Sequence, residues 1–232
     1  MPYHTVQELR ALAGKKGEKP TDSGGTRYIG TTDPEIALKY IPKTASILEC
    51  GPHFGMFTKY MADHGYHDIH LLDFFDALHF VSKNNYPFHI IDFNVEKMPY
   101  GDNAFGAVTA WGIVEHMENP FHFTREVHRV LKPDGIYIMA VPNVFHIMSR
   151  LMFFKKGMFP RWDGTNNHIF VLPHGVFEKT MLRYFDLIET KYWKPGIQYP
   201  LLNKFSRYLP ANQWFGNYVT YVLRKKPFVE YT

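Results

Sequence analysis

From Ala45 onward, apolar residues gather in short runs of strand length: "ASILEC", "DIHLLD", "PFHIID", "AVTAW" and "GIYIMAVP". Between them, apolar and polar positions recur at helical spacing in "MFTKYMADHG", "DALHFVSKN" and "FHFTREVHRVLKPDG". Apolar strands alternating with amphipathic helices predict parallel strands covered on both faces, a doubly wound α/β fold. The third helix is expected to stop across Lys132, Pro133 and Gly135, where proline and glycine end helices. Ahead of the sheet, "EIALKYI" after Pro34 predicts a short helix.

Beyond Pro142 the pattern changes. Residues 144–175 are aromatic and loop-rich, and "GVFEKTMLRYF" then predicts a helix. Its stripe of Phe177, Met181, Leu182 and Phe185 has the spacing of a core-facing surface. "LIETKYW" and "NYVTYVLRKK" predict two late strands in an antiparallel hairpin at the sheet edge. A chain of 232 residues is expected to form one domain. Its parts would be an N-terminal cap over 1–44, a cofactor-binding core over 45–143, a substrate-lid insertion over 144–175, and a helix with a hairpin over 176–232.

Composition narrows the function. Hydrophobic residues at 45% and charged residues at 21% describe a globular protein. Aromatics at 17% offer a stacking surface for a flat or sugar-like ligand as well as core. The net charge of +4 is spread in small lysine groups rather than along one stripe, which argues against a nucleic-acid partner. One cysteine, Cys50, suits a reducing compartment. No run reaches the length of a membrane span and the first residues lack an apolar signal core. A cytoplasmic protein is expected.

The chemistry starts at "SILECGPHFGMF", Ser46 to Phe57. A strand runs into a loop with glycines at Gly51 and Gly55, and such loops let backbone approach a ligand beyond the carboxyl end of a parallel sheet. Asp73, about twenty residues on, could take both ribose hydroxyls. A dinucleotide would also need a third glycine to free amides for its pyrophosphate, but the chain continues Gly55-Met56-Phe57-Thr58. Glu49 would repel a phosphate and attract an ammonium. The loop therefore suits an adenosine carrying a cationic amino-acid tail.

From Ile47 to Asn143 the chain resembles the class I S-adenosylmethionine-dependent methyltransferases. The matching pieces are "LECGPHFG", "LLDFF", "IDFNVEKMPYGDNAFGAV", "WGIVEHMENP", "REVHRVLKPDG" and "VPN", in that order. The resemblance implies a Rossmann-like, seven-stranded, mostly parallel sheet with an antiparallel last strand, and methyl transfer from S-adenosyl-L-methionine. It implies that Glu49, Gly51 and Gly55 line the methionine end of the cofactor and that Asp73 binds the ribose, with Phe74 against the adenine. Asp92 and Phe93 would bracket the adenine, with Asn94 competing with Asp92 for its exocyclic amine. Trp111 and Gly112 would face the transferred methyl.

His53 stands where the family has its middle glycine. A negative φ there would turn its side chain outward, to meet the cofactor's carboxylate or solvent. "EHMENP" is similar to quinone and related O-methyltransferases, some of which hold a metal with an additional glutamate one turn earlier. Gly112 occupies that place, so no metal is expected, and His64, His67 and His70 do not form a metal site either.

A sulfonium methyl needs alignment and exclusion of water, and an alcohol acceptor also needs a base. His116, following the fourth strand, is the first candidate. His168, in the Asn-His-Ile segment of "WDGTNNHIFVLP", is the second, with Asp163 to orient it. The expected acceptor is a small molecule such as a sugar or phenol, under aromatic walls from 152–162 and "KYWKPGIQYP". Tyr3, His4 and Tyr28 could fold over the cofactor. A homodimer is compatible with this picture. Methyl transfer to nitrogen or carbon, and a cofactor-binding subunit without catalysis, are the alternatives.

Overall fold

Seven strands form one sheet in the order β3-β2-β1-β4-β5-β7-β6. They are β1 (Ile47–Cys50), β2 (Ile69–Asp73), β3 (Phe88–Ile90), β4 (Phe105–Trp111), β5 (Leu131–Pro142), β6 (Phe185–Tyr192) and β7 (Tyr218–Lys225). The structure is a computed structural model and describes residues 33–162, 167–193 and 208–227. β1 to β5 run parallel, whereas β7 is antiparallel to both β5 and β6. The expected sheet, with its antiparallel last strand, is therefore present. β7 itself lies inside the sheet, leaving β6 at the edge.

Alternation along the strands builds two cores. On one face Leu48, Cys50, Val108, Ala110, Tyr137 and Met139 meet Phe123 and Val127 of α3 (Pro120–Val130) and Phe177 and Met181 of α5 (His174–Tyr184). On the other face Ile47, Ala107, Ile136 and Ile138 meet α1 (Pro34–Tyr40) and α2 (Met56–Asp63) through Ile36, Ala37, Phe57 and Met61. Period-two side-chain direction in strands makes this division inevitable. The sheet is covered on both sides.

Three local expectations are corrected. "DALHFVSKN" forms no helix. Asp76 accepts from the Leu78 N–H and the Lys83 ammonium, and the N–H groups of His79 and Phe80 both donate to the carbonyl of Phe54. Backbone donors that a helix would use internally are spent on the glycine loop. α3 ends earlier than expected, at Val130, because Leu131 already pairs with Phe105 and a register shift before Ala107 absorbs "KPDG". The aromatic stretch holds a helix, α4 (Ile147–Lys156), begun by His146 Nδ1 accepting from the Met148 N–H and ended by left-handed Gly157.

Among the described residues, no helix is long and apolar enough to cross a membrane.

Candidate active site

The strand order changes direction between β1 and β4, which pair side by side with Cys50 opposite Ala110. Crevices in open α/β sheets form at such a switch point, beyond the carboxyl ends of the strands. Here the chain leaves β1 as Gly51 and β4 as Gly112, with φ of 73° and 64°, values that glycine adopts without penalty. Gly55 (φ 79°) starts α2. A Cβ on Gly51 would come within 2.5 Å of Ile113 Cδ1, and one on Gly55 within 2.5 Å of Val81 Cγ2. The glycine loop thus touches the chain that leaves β4 and the segment that follows β2.

Two buried acids flank this loop. Glu49, 2% exposed, accepts the hydroxyl of Thr58 at 2.5 Å; burial pushes its pKa up to about 8, and the charge of Asp73 adds to the shift. Asp73, 5% exposed at the end of β2, accepts the N–H of His53 at 3.0 Å and that of Phe74 at 2.7 Å. Burial raises its pKa to about 7 against the opposing pull of those bonds. His53 departs from expectation: its φ is +48°, because its N–H must turn toward Asp73. The imidazole lies against Phe54, with ring centroids 3.9 Å apart.

The residues around β3 divide. Phe74 and Phe93 pack edge to face at 4.8 Å within the core. Asp92 turns its carboxylate back to accept the Asn94 N–H. Asn94 Oδ1 accepts the N–H of Asn119 and its carbonyl accepts the Asn119 side-chain amide. These two bonds fasten the start of α3. Trp111 lies buried against Phe57 at 5.1 Å, and its Nε1 finds no acceptor among the described residues.

The second half of the site begins two residues past Gly112, in a 3₁₀ turn over Val114–His116. The carbonyl of Glu115 accepts the N–H groups of Ile169 and Phe170 at 2.9 and 3.0 Å. In return His116 Nδ1 meets the carbonyl of Asn167 at 2.9 Å. These three bonds tie 167–170 to the turn and set His116 against His168, with ring centroids 4.7 Å apart. Trp162 closes the far side, 5.0 Å from His168, and donates Nε1–H to the Phe170 carbonyl. A carbonyl accepts only, so His116 carries its proton on Nδ1 and a lone pair on Nε2. Burial lowers its pKa and favours the neutral ring.

Glu115 was not singled out from sequence, yet it is central here. It is 3% exposed, its Oε2 has no hydrogen-bond partner among the described residues, and burial pushes its pKa up to about 8. One donor atom each from Glu115, His116 and His168 lie within 4.8 Å of one another. Its adjacency to His116 at a strand end was the available signal, but an acid beside a histidine is common on surfaces. Asp163, Tyr3, His4 and Tyr28 lie outside the described residues.

A family model described as "Methyltransferase domain" matches residues 48–139, which span the glycine loop, Asp73, the β4 exit and the turn. Over these residues the chain is similar to the class I S-adenosylmethionine-dependent methyltransferases. The family's cofactor is S-adenosylmethionine. An uncharacterised protein of Methanocaldococcus jannaschii is 29% identical over 136 residues, which are 58% of this chain and 52% of that protein. The chain thus spans about half the length of the curated relative it matches. Among solved structures, the complex between the Haloferax volcanii Trm112 methyltransferase activator and a methyltransferase contains a chain that superposes with TM-score 0.62 at 16% identity, over 94% of this chain and 97% of that one. The Burkholderia thailandensis 1,6-didemethyltoxoflavin-N1-methyltransferase, solved with 1,6-didemethyltoxoflavin and S-adenosylhomocysteine, superposes with TM-score 0.60 at 14% identity, over 98% and 93%. At such identities the likeness is one of fold.

The chain's own residues fit that cofactor. Two coupled carboxylates, both held above their ordinary pKa by burial, would be relieved by a ligand with a positive charge and hydroxyl donors. The indole N–H of Trp111 is a buried donor awaiting an acceptor, and the glycines keep side chains out of the loop.

Proposed function

We propose that the protein transfers a methyl group from S-adenosylmethionine to a hydroxyl of a small-molecule acceptor. The observation that carries this reading is the grouping of Glu115 and His116, on the chain that leaves β4, with His168 from the segment before α5. That chain touches the glycine loop through Ile113 and Gly51, so acceptor and cofactor would meet at one place.

When bound, the cofactor supplies a methyl on a positively charged sulfur. Glu49 would stand at its cationic end, Asp73 at the ribose, and Asp92 with Phe74 and Phe93 about the adenine. Trp111 and Gly112 would border the methyl. The acceptor oxygen must lie in line behind the methyl carbon, away from water, and Trp162 and Phe170 offer apolar cover beside the cluster. The hydroxyl proton is drawn to the cluster, where His116 Nε2 holds a lone pair oriented by the Asn167 carbonyl. Asp163 follows Trp162 directly in the chain and would assist His168.

The Burkholderia neighbour acts on nitrogen, and an amine acceptor would need no strong base. Calorimetry with S-adenosylmethionine and S-adenosylhomocysteine, followed by methyl uptake onto hydroxylated sugars, phenols and amines, tests the reading. Turnover confined to hydroxyl acceptors, with an acidic limb that is lost in His116→Ala, is expected. Turnover on amines alone would overturn the hydroxyl assignment. Cofactor binding without turnover on any acceptor would favour a role as a partner subunit.

A further inference from the structure

A lone pair that can take a proton can equally bind a metal ion, and the group that shares the cavity decides between them. Two imidazoles alone would make a base. Here a carboxylate has been added and taken out of water, with Glu115 Oε2 buried and unpartnered among the described residues. A buried carboxyl oxygen without a partner is unfavourable, and a cation meeting it would hold the group in its ionised form. Arg161 contributes a charge that reaches Glu115, but its guanidinium stacks over the Tyr218 ring at 4.6 Å and gives Oε2 no hydrogen bond.

We propose that Glu115, His116 and His168 bind one divalent transition-metal ion of the zinc class, which holds the acceptor oxygen. Two imidazoles and a carboxylate are the donor set of three-ligand zinc sites, which keep an open position for water or substrate. Imidazole donors favour zinc, cobalt or iron over magnesium. The three donor atoms lie within 4.8 Å of one another. Ligands at about 2.1 Å around a tetrahedral ion stand roughly 3.4 Å apart, so closure of at most about 1.4 Å suffices. His116 already has the outer support that metal-ligating histidines need: Nδ1–H on the Asn167 carbonyl leaves Nε2 as the ligand atom. The hydrogen bonds from Ile169 and Phe170 to the Glu115 carbonyl hold His168 at the same place.

The proposal rests on the hydroxyl-acceptor reading and refines it. With an ion seated, Nε2 of His116 is a ligand; the cation acidifies the neighbouring hydroxyl, whose proton passes to solvent. It also replaces the expectation, drawn from Gly112, that the site holds no metal: His168 supplies from another segment what the glutamate one turn earlier would have supplied.

The test uses tag-free, chelator-treated full-length protein titrated with Co²⁺, followed by calorimetry with Zn²⁺. One ion per chain and visible d–d bands of a low-coordinate nitrogen–oxygen site are expected. Glu115→Gln, His116→Ala and His168→Ala should each weaken binding by about 100-fold or more. His174→Ala, at an exposed histidine paired with Glu178, should leave it unchanged. Circular dichroism establishes that each variant folds, and His168→Asp, which keeps a ligand, should restore part of the affinity. Absence of saturable binding, or binding that survives Glu115→Gln and His168→Ala, overturns the proposal. Neither result touches the methyl-transfer reading, because no cofactor or acceptor enters the titration; that reading fails only if methyl uptake onto hydroxyls is absent with and without the ion.

Discussion

At the residue scale, the glycine loop separates two demands that a family pattern merges. Gly51 must have both a left-handed φ and no Cβ, since Ile113 fills the space where one would lie. His53 needs only the φ, because its side chain has room beside Phe54. Gly51→Ala is therefore expected to cost about 2–3 kcal/mol, from strain plus overlap, and to weaken S-adenosylhomocysteine binding more than tenfold by calorimetry. His53→Gly should change stability by less than about 1 kcal/mol, read from the urea midpoint. A Gly51→Ala protein as stable as the parent would show that the loop and Ile113 do not touch. The sequence shows that position 53 lacks glycine; only the bond from its N–H to Asp73 shows why the backbone still turns left.

The elements are held by end contacts more than by their own propensity. α3 begins with Asn119 accepting the His122 N–H and with Pro120 in its first turn, a strong start signal. Asn119 is also gripped by Asn94 from across the sheet. Asn119→Ala removes the cap and takes the side-chain amide away from the Asn94 carbonyl, while the N–H bond to Asn94 Oδ1 remains. A loss of about 1–2 kcal/mol is expected by chemical denaturation, and Asn94→Ala should be about as damaging. Were Asn94→Ala neutral for stability but costly for cofactor binding, its role as an adenine ligand would hold. The cap at Asn119-Pro120 could be read along the chain. The Asn94 partner could not, because residues 25 positions apart meet only after β3 and β4 are in place.

The whole molecule carries the pH dependence. Glu49, Asp73 and Glu115 are raised to about 8, 7 and 8 by burial, while unfolded carboxyls titrate near 4. The folded chain therefore holds more protons between these limits, and stability falls as pH rises through that window. His116 and His128 are lowered by burial, so their contribution runs the other way, and it is complete once pH exceeds the unfolded value of about 6.5. Between pH 6.5 and 8 the carboxyls alone act. The cofactor-free protein should lose on the order of 4 kcal/mol there, seen as a falling melting temperature, and Glu49→Gln should flatten part of the slope. A cationic ligand beside Glu49 favours its ionised form. Cofactor binding at pH 7 should then release protons, measured as heats that differ between phosphate and Tris buffers. Equal heats in the two buffers would remove Glu49 from the cationic end of the ligand.

Alternating apolar runs and amphipathic spacing determined the strands, the order of elements and the two faces of the sheet, because side-chain direction in a strand or helix is a local property. The loop glycines and the acids at the strand ends were legible for the same reason: a tight turn and a charge at the end of an apolar run are written in neighbouring residues. Tertiary structure alone decided where long-range hydrogen bonds go. The segment after β2 lost its helix to the Phe54 carbonyl, Asn94 became a latch on α3, and a buried acid was joined to two histidines from segments about fifty residues apart. Each of these is a choice among partners that the local pattern leaves equally open, and packing of the finished sheet makes it.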